Sequence, residues 1–206
     1  MVDVKEKPYH EKYDGILELI KLLKGFAPKF VKEELGQAKA DELLKRWEQE
    51  SEPIPSDAPF NDKYDIAHRN FLQNWITALN FVTEHQVSTD KYMKVAVDAW
   101  VRKYATSSLG LKIFRGFSSR DAAFEALAKR LAYSLQIFGP FTVSELNQKR
   151  MVFTLTPCKI RAVRGHDDFC LAACQNIIPA WLERQFNVKT NHRRDGNNCT
   201  VTFEPF

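Results

Sequence analysis

The chain has 206 residues, of which 44% are hydrophobic and 27% charged, so it can bury a sizeable apolar core. A formal net charge of +4 is small, and Lys and Arg are mixed with nearly as many Asp and Glu, which gives no basis for a nucleic-acid-binding face. No segment resembles a membrane span or a signal peptide. We therefore expect a cytoplasmic protein that binds neither membranes nor nucleic acid and keeps its four cysteines free of disulfides.

The first two thirds of the chain are predicted to be helical, because apolar residues recur there at helical spacing. These patterns cover residues 16–23, 30–47, 71–82, 92–103 and 124–135. Pro28 is expected to separate the first two helices, and Gly36 to bend the second. The proline-rich residues 51–62 are expected to form a linker.

After Gly139 and Pro140 the apolar period changes from helical spacing to alternation, which predicts strands. Residues 141–146 and 150–156 predict a first hairpin, and residues 186–193 and 199–205 predict a second. Between the hairpins, a helix of about sixteen residues is predicted to begin near Asp168.

The order of elements predicts a single α+β domain over residues 1–206, with the helices on one face of an antiparallel sheet. Within it, residues 1–52 hold the N-terminal helices and residues 60–137 a second helical part. Residues 138–206 form the hairpin, helix, hairpin unit that carries all four cysteines.

The second hairpin predicts which residues face the core. If Asp195 and Gly196 form a two-residue turn, His192 lies opposite Cys199. Cys199 shares its face with Val201 and Phe203, so both His192 and Cys199 are expected to point inward. A turn shifted by one pair leaves both residues inward but no longer opposite each other.

The cysteines are candidates for a functional site in the last third of the chain. Cys170 and Cys174 are one helical turn apart, Cys158 follows the second strand, and Cys199 opens the last strand. One interpretation is that these small residues only fill the core. A second is a structural zinc ion held by Cys158, Cys170, Cys174 and Cys199, with His192 as an alternative ligand.

The third interpretation is thiol catalysis. A cysteine near a helix N-terminus is stabilised as a thiolate, and a nearby histidine lowers its pKa further. The candidate nucleophiles are Cys170, Cys174 and Cys158. The candidate proton carriers are His166 and His192, with Asp167 or Asp168 orienting the imidazole.

Arginines in the two neighbouring loops are candidate substrate-binding residues. Arg161, Arg164 and Arg193, the last followed by Arg194, could hold a carboxylate through paired hydrogen bonds. Arginines in such loops also commonly serve only solubility.

The run "TPCKIRAVRGHDDFCLAACQNIIPAWLERQFNV", followed by "CTVTFEP" and preceded by "FVKEELGQAKADELLKRW", resembles the L-2-amino-thiazoline-4-carboxylic acid hydrolase-like proteins. It is also similar to the wider class of 4-vinyl reductase type ligand-binding domains. The resemblance implies that the cysteines at 158, 170, 174 and 199 line a ligand or metal pocket between helix and sheet. It further implies hydrolysis of a small ring at a C–N bond by a cysteine nucleophile.

The leading expectation is therefore a small-molecule hydrolase, acting on a cyclic amidine without a cofactor. The alternative is a non-catalytic sensor or carrier domain that binds a small molecule or zinc. A third possibility is an interaction protein whose N-terminal helices dock a partner. Assembly into a homo-oligomer is compatible with each.

Overall fold

A computed structural model describes residues 5–105, 120–156, 158, 170–195 and 198–205. The helices are α1 Tyr9–Leu35, α2 Gln37–Glu50, α3 Phe60–Glu84, α4 Thr89–Ala105, α5 Arg120–Leu135, a π-helix Cys170–Ile177 and α6 Ile178–Phe186, with a 3-10 turn at Gln136–Phe138. The strands are β1 Phe141–Leu146, β2 Met151–Leu155, β3 Val188–Asp195 and β4 Asn198–Pro205. The predicted α+β class, with helices first and an antiparallel sheet in the C-terminal part, is confirmed.

The helical part is built around α1, which packs against α2, α3 and α4. Its core-facing residues Ile16, Leu19 and Leu23 recur at helical spacing and are fully buried. On α2, the buried indole of Trp47 donates a hydrogen bond from Nε1 to the carbonyl oxygen of Asn74, at 2.8 Å. This bond fixes α2 to α3 while satisfying a polar group inside the core.

The predicted separation of the first two helices at Pro28 is wrong, because Pro28 lies inside α1. Proline removes one backbone hydrogen bond from a helix, which is normally destabilising. Here Ala27, Phe30 and Val31 are all buried around it, so packing keeps the helix continuous. The break comes instead at Gly36, whose φ of 91° is a conformation that favours glycine.

The proline-rich residues between α2 and α3 form no helix, as expected of a linker, and polar contacts attach them to α3. The side chain of Asn70 holds this segment through two hydrogen bonds. Its Nδ2 donates to the carbonyl oxygen of Glu52 at 2.8 Å, and its Oδ1 accepts from the Glu52 amide at 2.9 Å. The linker is therefore anchored to the helical core.

The four strands form one antiparallel sheet in the order β1-β2-β4-β3. One face of the sheet is apolar and packs toward the helices; its buried members include Val143, Met151, Phe153, Leu155, Val188, Cys199 and Phe203. The β1–β2 ladder shifts register between Val143 and Glu145, which marks a bulge in β1.

The register of the second hairpin differs by one pair from the predicted one. Arg194 is paired with Cys199 and His192 with Val201, so His192 and Cys199 are not opposite each other. The described ladder extends as far as the pair Asp195 and Asn198. His192 and Cys199 still share one face of the sheet, as the sequence predicts.

The helix between the hairpins is also different from the expectation. It is described from Cys170, and its first eight residues form a π-helix before α6 begins at Ile178. Pro179 explains where the change occurs. It has no amide hydrogen to donate to the preceding turn, so it fits the first turn of an α-helix and not its middle.

Polar contacts join separate parts of the molecule. The side chain of Gln136, at the end of the helical part, accepts a hydrogen bond from the Lys7 amide at 2.6 Å and donates one to the Lys5 carbonyl oxygen at 2.8 Å. Arg184 of α6 forms an ion pair with Asp98 of α4 at 2.8 Å. Within the described part of the chain, no helix has the length and apolar character needed to cross a membrane.

Candidate functional site

The four cysteines are free thiols that come together where the ends of β2, β4 and the π-helix meet. Cys158 lies just beyond β2, and Cys199 at the start of β4 is paired with Leu155 near the end of β2. Cys170 begins the π-helix, one turn before Cys174. The thiols form two hydrogen-bonded pairs, Cys158 with Cys199 and Cys170 with Cys174. The predicted convergence of the cysteines is present in the structure.

The pKa of the Cys199 thiol is strongly lowered. A hydrogen bond from Cys158 is the main cause that lowers its pKa from 9.0 to about 4, in spite of burial, which acts in the opposite direction. A hydrogen bond and positive charge from His192, and the charge of Arg194, lower this pKa further. Cys199 is therefore a thiolate at neutral pH, although only 2% of the residue is exposed.

In the pair formed by Cys170 and Cys174, the pKa values of the two thiols shift in opposite directions. Cys174 donates its hydrogen bond to Cys170, which lowers the pKa of Cys170 and raises that of Cys174 well above its ordinary value. Burial also raises the pKa of Cys174. Cys174 and Cys158 thus serve as hydrogen-bond donors, whereas the two acidic thiols are Cys170 and Cys199. The sequence analysis placed Cys174 and Cys158 among the nucleophiles and left Cys199 out.

The two adjacent arginines of β3 lie on opposite faces of the sheet. Arg194 is paired with Cys199, and its charge lowers the pKa of both Cys170 and Cys199. Arg193 is paired with Thr200 on the other face and is exposed. The structure therefore does not bring Arg193 to the cysteines, contrary to its predicted role in substrate binding, because adjacent residues of a strand point in opposite directions.

The Cys158–Cys199 pair borders a small apolar cavity between the sheet and the helices, which we name the thiol cavity. Its volume is about 40 Å³. Its sulfur and nitrogen groups come from Cys158, Cys174, Cys199 and His192, and aromatic rings such as Trp75 close it. The Nδ1 atom of His192 is buried and has no hydrogen-bond partner among the described residues. A cavity of this size holds molecules no larger than a few waters.

A second cavity of about 320 Å³, which we name the large cavity, lies between α1, α4, α5 and α6. Its lining is mostly apolar and includes the indoles of Trp100 and Trp181, whose ring centroids are 6.4 Å apart in an edge arrangement. The polar residues that reach it are Lys7, Glu18, Arg130 and Ser134. The two cavities adjoin, since four residues line both of them: Trp100, Leu135, Phe138 and Ile178.

Several predicted site residues are outside the described part of the chain. These are Arg161, Arg164, His166, Asp167 and Asp168. Their roles as substrate ligands, proton carriers and orienting groups stay predictions. Among the described residues, no group of three or more His, Cys, Asp or Glu side chains is arranged to hold a metal ion. The zinc hypothesis for the four cysteines therefore has no geometric support from this structure.

Comparison with known proteins adds little to this geometry. No protein-family model matches the chain, and no curated protein is significantly similar to it in sequence. One solved structure, from work on "Modulating Heme Redox Potential Through Protein-Induced Porphyrin Distortion", aligns with a TM-score of 0.40 and 12% sequence identity. The alignment covers 88% of this chain and 97% of the other. A likeness this weak supports no conclusion about the fold or ligand of this protein.

Proposed function

We propose that this protein is a small-molecule-binding domain whose ligand occupies the large cavity. The observation that carries the proposal is the cavity itself, which at about 320 Å³ falls within the range of small-molecule sites. Apolar side chains from four helices surround it, and polar groups are few. This combination suits a compact, largely apolar or aromatic molecule.

The polar residues suggest how such a ligand is oriented. Arg130 is exposed on α5 and borders the large cavity, and Lys7 borders it from the N-terminal segment. Glu18 is also present but forms an ion pair with Lys103. An apolar ligand with one anionic group would place its ring against the indoles and its anion toward Arg130.

A test is to cover the rim of the large cavity. Ser134 is exposed and borders the cavity, so Ser134→Trp places a bulky ring over the entrance without disturbing the core. We use anilinonaphthalene sulfonate, an aromatic anion, as the probe and follow energy transfer from the tryptophans. Saturable binding is expected, and the substitution weakens it about tenfold, which corresponds to about 1.4 kcal/mol.

The control for this test is Lys129→Trp, which adds the same ring to an exposed position of α5 that does not border the large cavity. Its affinity for the probe should equal that of the unchanged protein. Equal weakening by both substitutions, or none by either, would place the probe elsewhere and contradict the proposal.

A second candidate function, hydrolysis of a small cyclic amidine, is favoured by the thiolate of Cys199 beside His192. The thiolate would attack the amidine carbon, His192 would protonate the departing nitrogen, and water would release the product from sulfur. We rank it second because a five-membered ring does not fit in about 40 Å³, so the substrate would have to reach Cys199 from the large cavity.

The hydrolase candidate predicts turnover of 2-amino-thiazoline-4-carboxylate that depends on Cys199. Cys199→Ser should reduce the rate of ring opening by orders of magnitude, measured by chromatography of the product. Cys174→Ser should retain most of the rate, because Cys174 keeps its proton and donates its hydrogen bond to Cys170 and not to Cys199. Absence of turnover by the unchanged protein would remove this candidate and leave the binding proposal intact.

A further inference from the structure

The thiol cavity is bordered by two hydrogen-bonded thiols and an imidazole. One wall carries a buried thiolate, Cys199, and a second thiol, Cys158, is hydrogen-bonded to it. The imidazole of His192 touches the same thiolate and borders the same cavity. The space beside them is enclosed and about 40 Å³ in volume. A site of this kind is too small for organic rings but admits a molecule of two heavy atoms.

We propose that Cys199 and Cys158 form a dithiol that reduces hydrogen peroxide inside the thiol cavity, with Cys199 as the attacking sulfur and Cys158 as the resolving sulfur. The proposal does not depend on the ligand of the large cavity. It assigns the buried thiols a substrate that matches both their chemistry and the space beside them.

The first step forms a sulfur–oxygen bond. The Cys199 thiolate attacks one oxygen of the peroxide, the O–O bond breaks, and the departing hydroxide takes a proton, which His192 can donate in its charged form. The products are a sulfenic acid on Cys199 and one molecule of water. The two electrons that reduce the peroxide come from the sulfur of Cys199.

The second step closes a disulfide. The sulfur of Cys158 attacks the sulfenic sulfur of Cys199, the S–O bond breaks, and the departing hydroxide leaves as water with the proton of the Cys158 thiol. Each pair thus consumes one peroxide and yields one disulfide and two waters. The existing hydrogen bond between the two thiols places the resolving sulfur next to its target before the reaction begins.

The other pair is less suited to this reaction. Cys170 does not border the thiol cavity, and Cys174, which does, keeps its proton and donates a hydrogen bond to Cys170. A protonated thiol is a poor nucleophile toward peroxide. Attack is therefore expected at Cys199, and Cys170 and Cys174 provide an internal comparison within the same protein.

The enclosed cavity also predicts selectivity by size. Hydrogen peroxide has two heavy atoms and fits, whereas cumene hydroperoxide carries a phenyl ring that does not fit in about 40 Å³. A thiolate reacting at an open surface would not distinguish the two reagents in this way. The ratio of the rates at which the two peroxides oxidise the thiols therefore tests whether the reaction takes place inside the cavity.

The experiment treats the reduced full-length chain with one equivalent of hydrogen peroxide and follows it by intact mass and peptide mapping. The expected result is loss of two hydrogens and a Cys158–Cys199 disulfide. Cys158→Ser should stop at a sulfenic acid on Cys199, which adds one oxygen to the intact mass, while Cys170→Ser should form the disulfide as the unchanged protein does. Cumene hydroperoxide should oxidise the pair more slowly than hydrogen peroxide.

The measurements on the unchanged chain do not depend on whether the variants fold. A disulfide mapped to Cys170 and Cys174, oxidation of Cys199 no faster than that of free cysteine, or equal rates with the two peroxides would each overturn the proposal. Failure to bind anilinonaphthalene sulfonate would contradict only the proposed ligand site, so the two results are distinguishable.

Discussion

Cys199 owes its charge to three neighbours that come from different parts of the chain. Cys158 follows β2, whereas His192 and Arg194 lie on β3. From sequence, the shared inward face of His192 and Cys199 was predictable, because strand alternation fixes it. Contact between Cys199 and Cys158 was not, because the pairing of β4 with β2 is a tertiary property. Sequence reasoning therefore located the cluster but did not identify Cys199 as a thiolate.

At this scale we predict that His192→Ala raises the pKa of Cys199 above about 4, since the imidazole supplies a hydrogen bond and positive charge to the thiolate. The wild-type thiolate should persist at neutral pH and become protonated only as the pH falls toward 4. In the variant, protonation should occur at higher pH. The measurement is the pH dependence of the ultraviolet absorbance of the thiolate, taken as the difference from Cys199→Ser.

Arg193→Ala is the matched control for that measurement, because the substitution removes a side chain of the neighbouring residue on the opposite face of β3. The titration of Cys199 should be the same as in the unchanged protein. If His192→Ala leaves the pKa of Cys199 unchanged, the imidazole does not act on Cys199.

At the scale of elements, α1 shows how packing sets the outcome of a local substitution. Two of its glycines, Gly15 and Gly25, have different surroundings. A Cβ added at Gly15 would lie 2.9 Å from Cγ2 of Ile137 in the wall of the large cavity, whereas one added at Gly25 meets nothing within 4 Å. Gly15 is therefore needed for close approach to the 3-10 turn, and Gly25 is not.

We predict that Gly25→Ala stabilises the protein by about 1 kcal/mol, the difference in helix propensity between the two residues. Gly15→Ala gains the same propensity but must displace Ile137, at a cost of about 1–3 kcal/mol. It should therefore be the less stable of the two variants. The measurement is the free energy of unfolding in urea, and an equal gain from both substitutions would contradict the tight contact at Gly15.

The elements themselves were largely predictable. Both hairpins follow from alternation between turn residues, and most helices from apolar spacing. The helix break predicted at Pro28 is absent, because burial of the neighbouring residues outweighs the tendency of proline to end a helix. The π-helix had no signal of its own, since the apolar residues of Cys170–Ile177 fit an ordinary helix equally well.

At the scale of the whole molecule, one continuous core joins the helices to the sheet. It runs from Ile16 of α1 to Phe203 of β4 without interruption. The buried amide of Gln136 ties the N-terminal segment to the turn that leads into the sheet. These contacts favour the predicted single domain, because neither part can be exposed without opening the shared core.

We predict that the two parts unfold together in a single transition. In a chain with a shared core, loss of helix and loss of local packing at the sheet are the same event. Circular dichroism reports the helices, and acrylodan attached to an introduced cysteine in place of exposed Asn147 would report the β1–β2 turn. Transitions at different urea concentrations would show instead that the parts unfold independently.

The π-helix has a consequence for how deletions are tolerated in this segment. Each π turn accommodates an additional residue compared with an α turn, so removing one residue between Cys174 and Ile177 would allow ordinary helical pairing through this segment. Cys170 and Cys174 would stay four residues apart in such a variant. A single codon deletion could thus narrow the helix and keep the thiol pair.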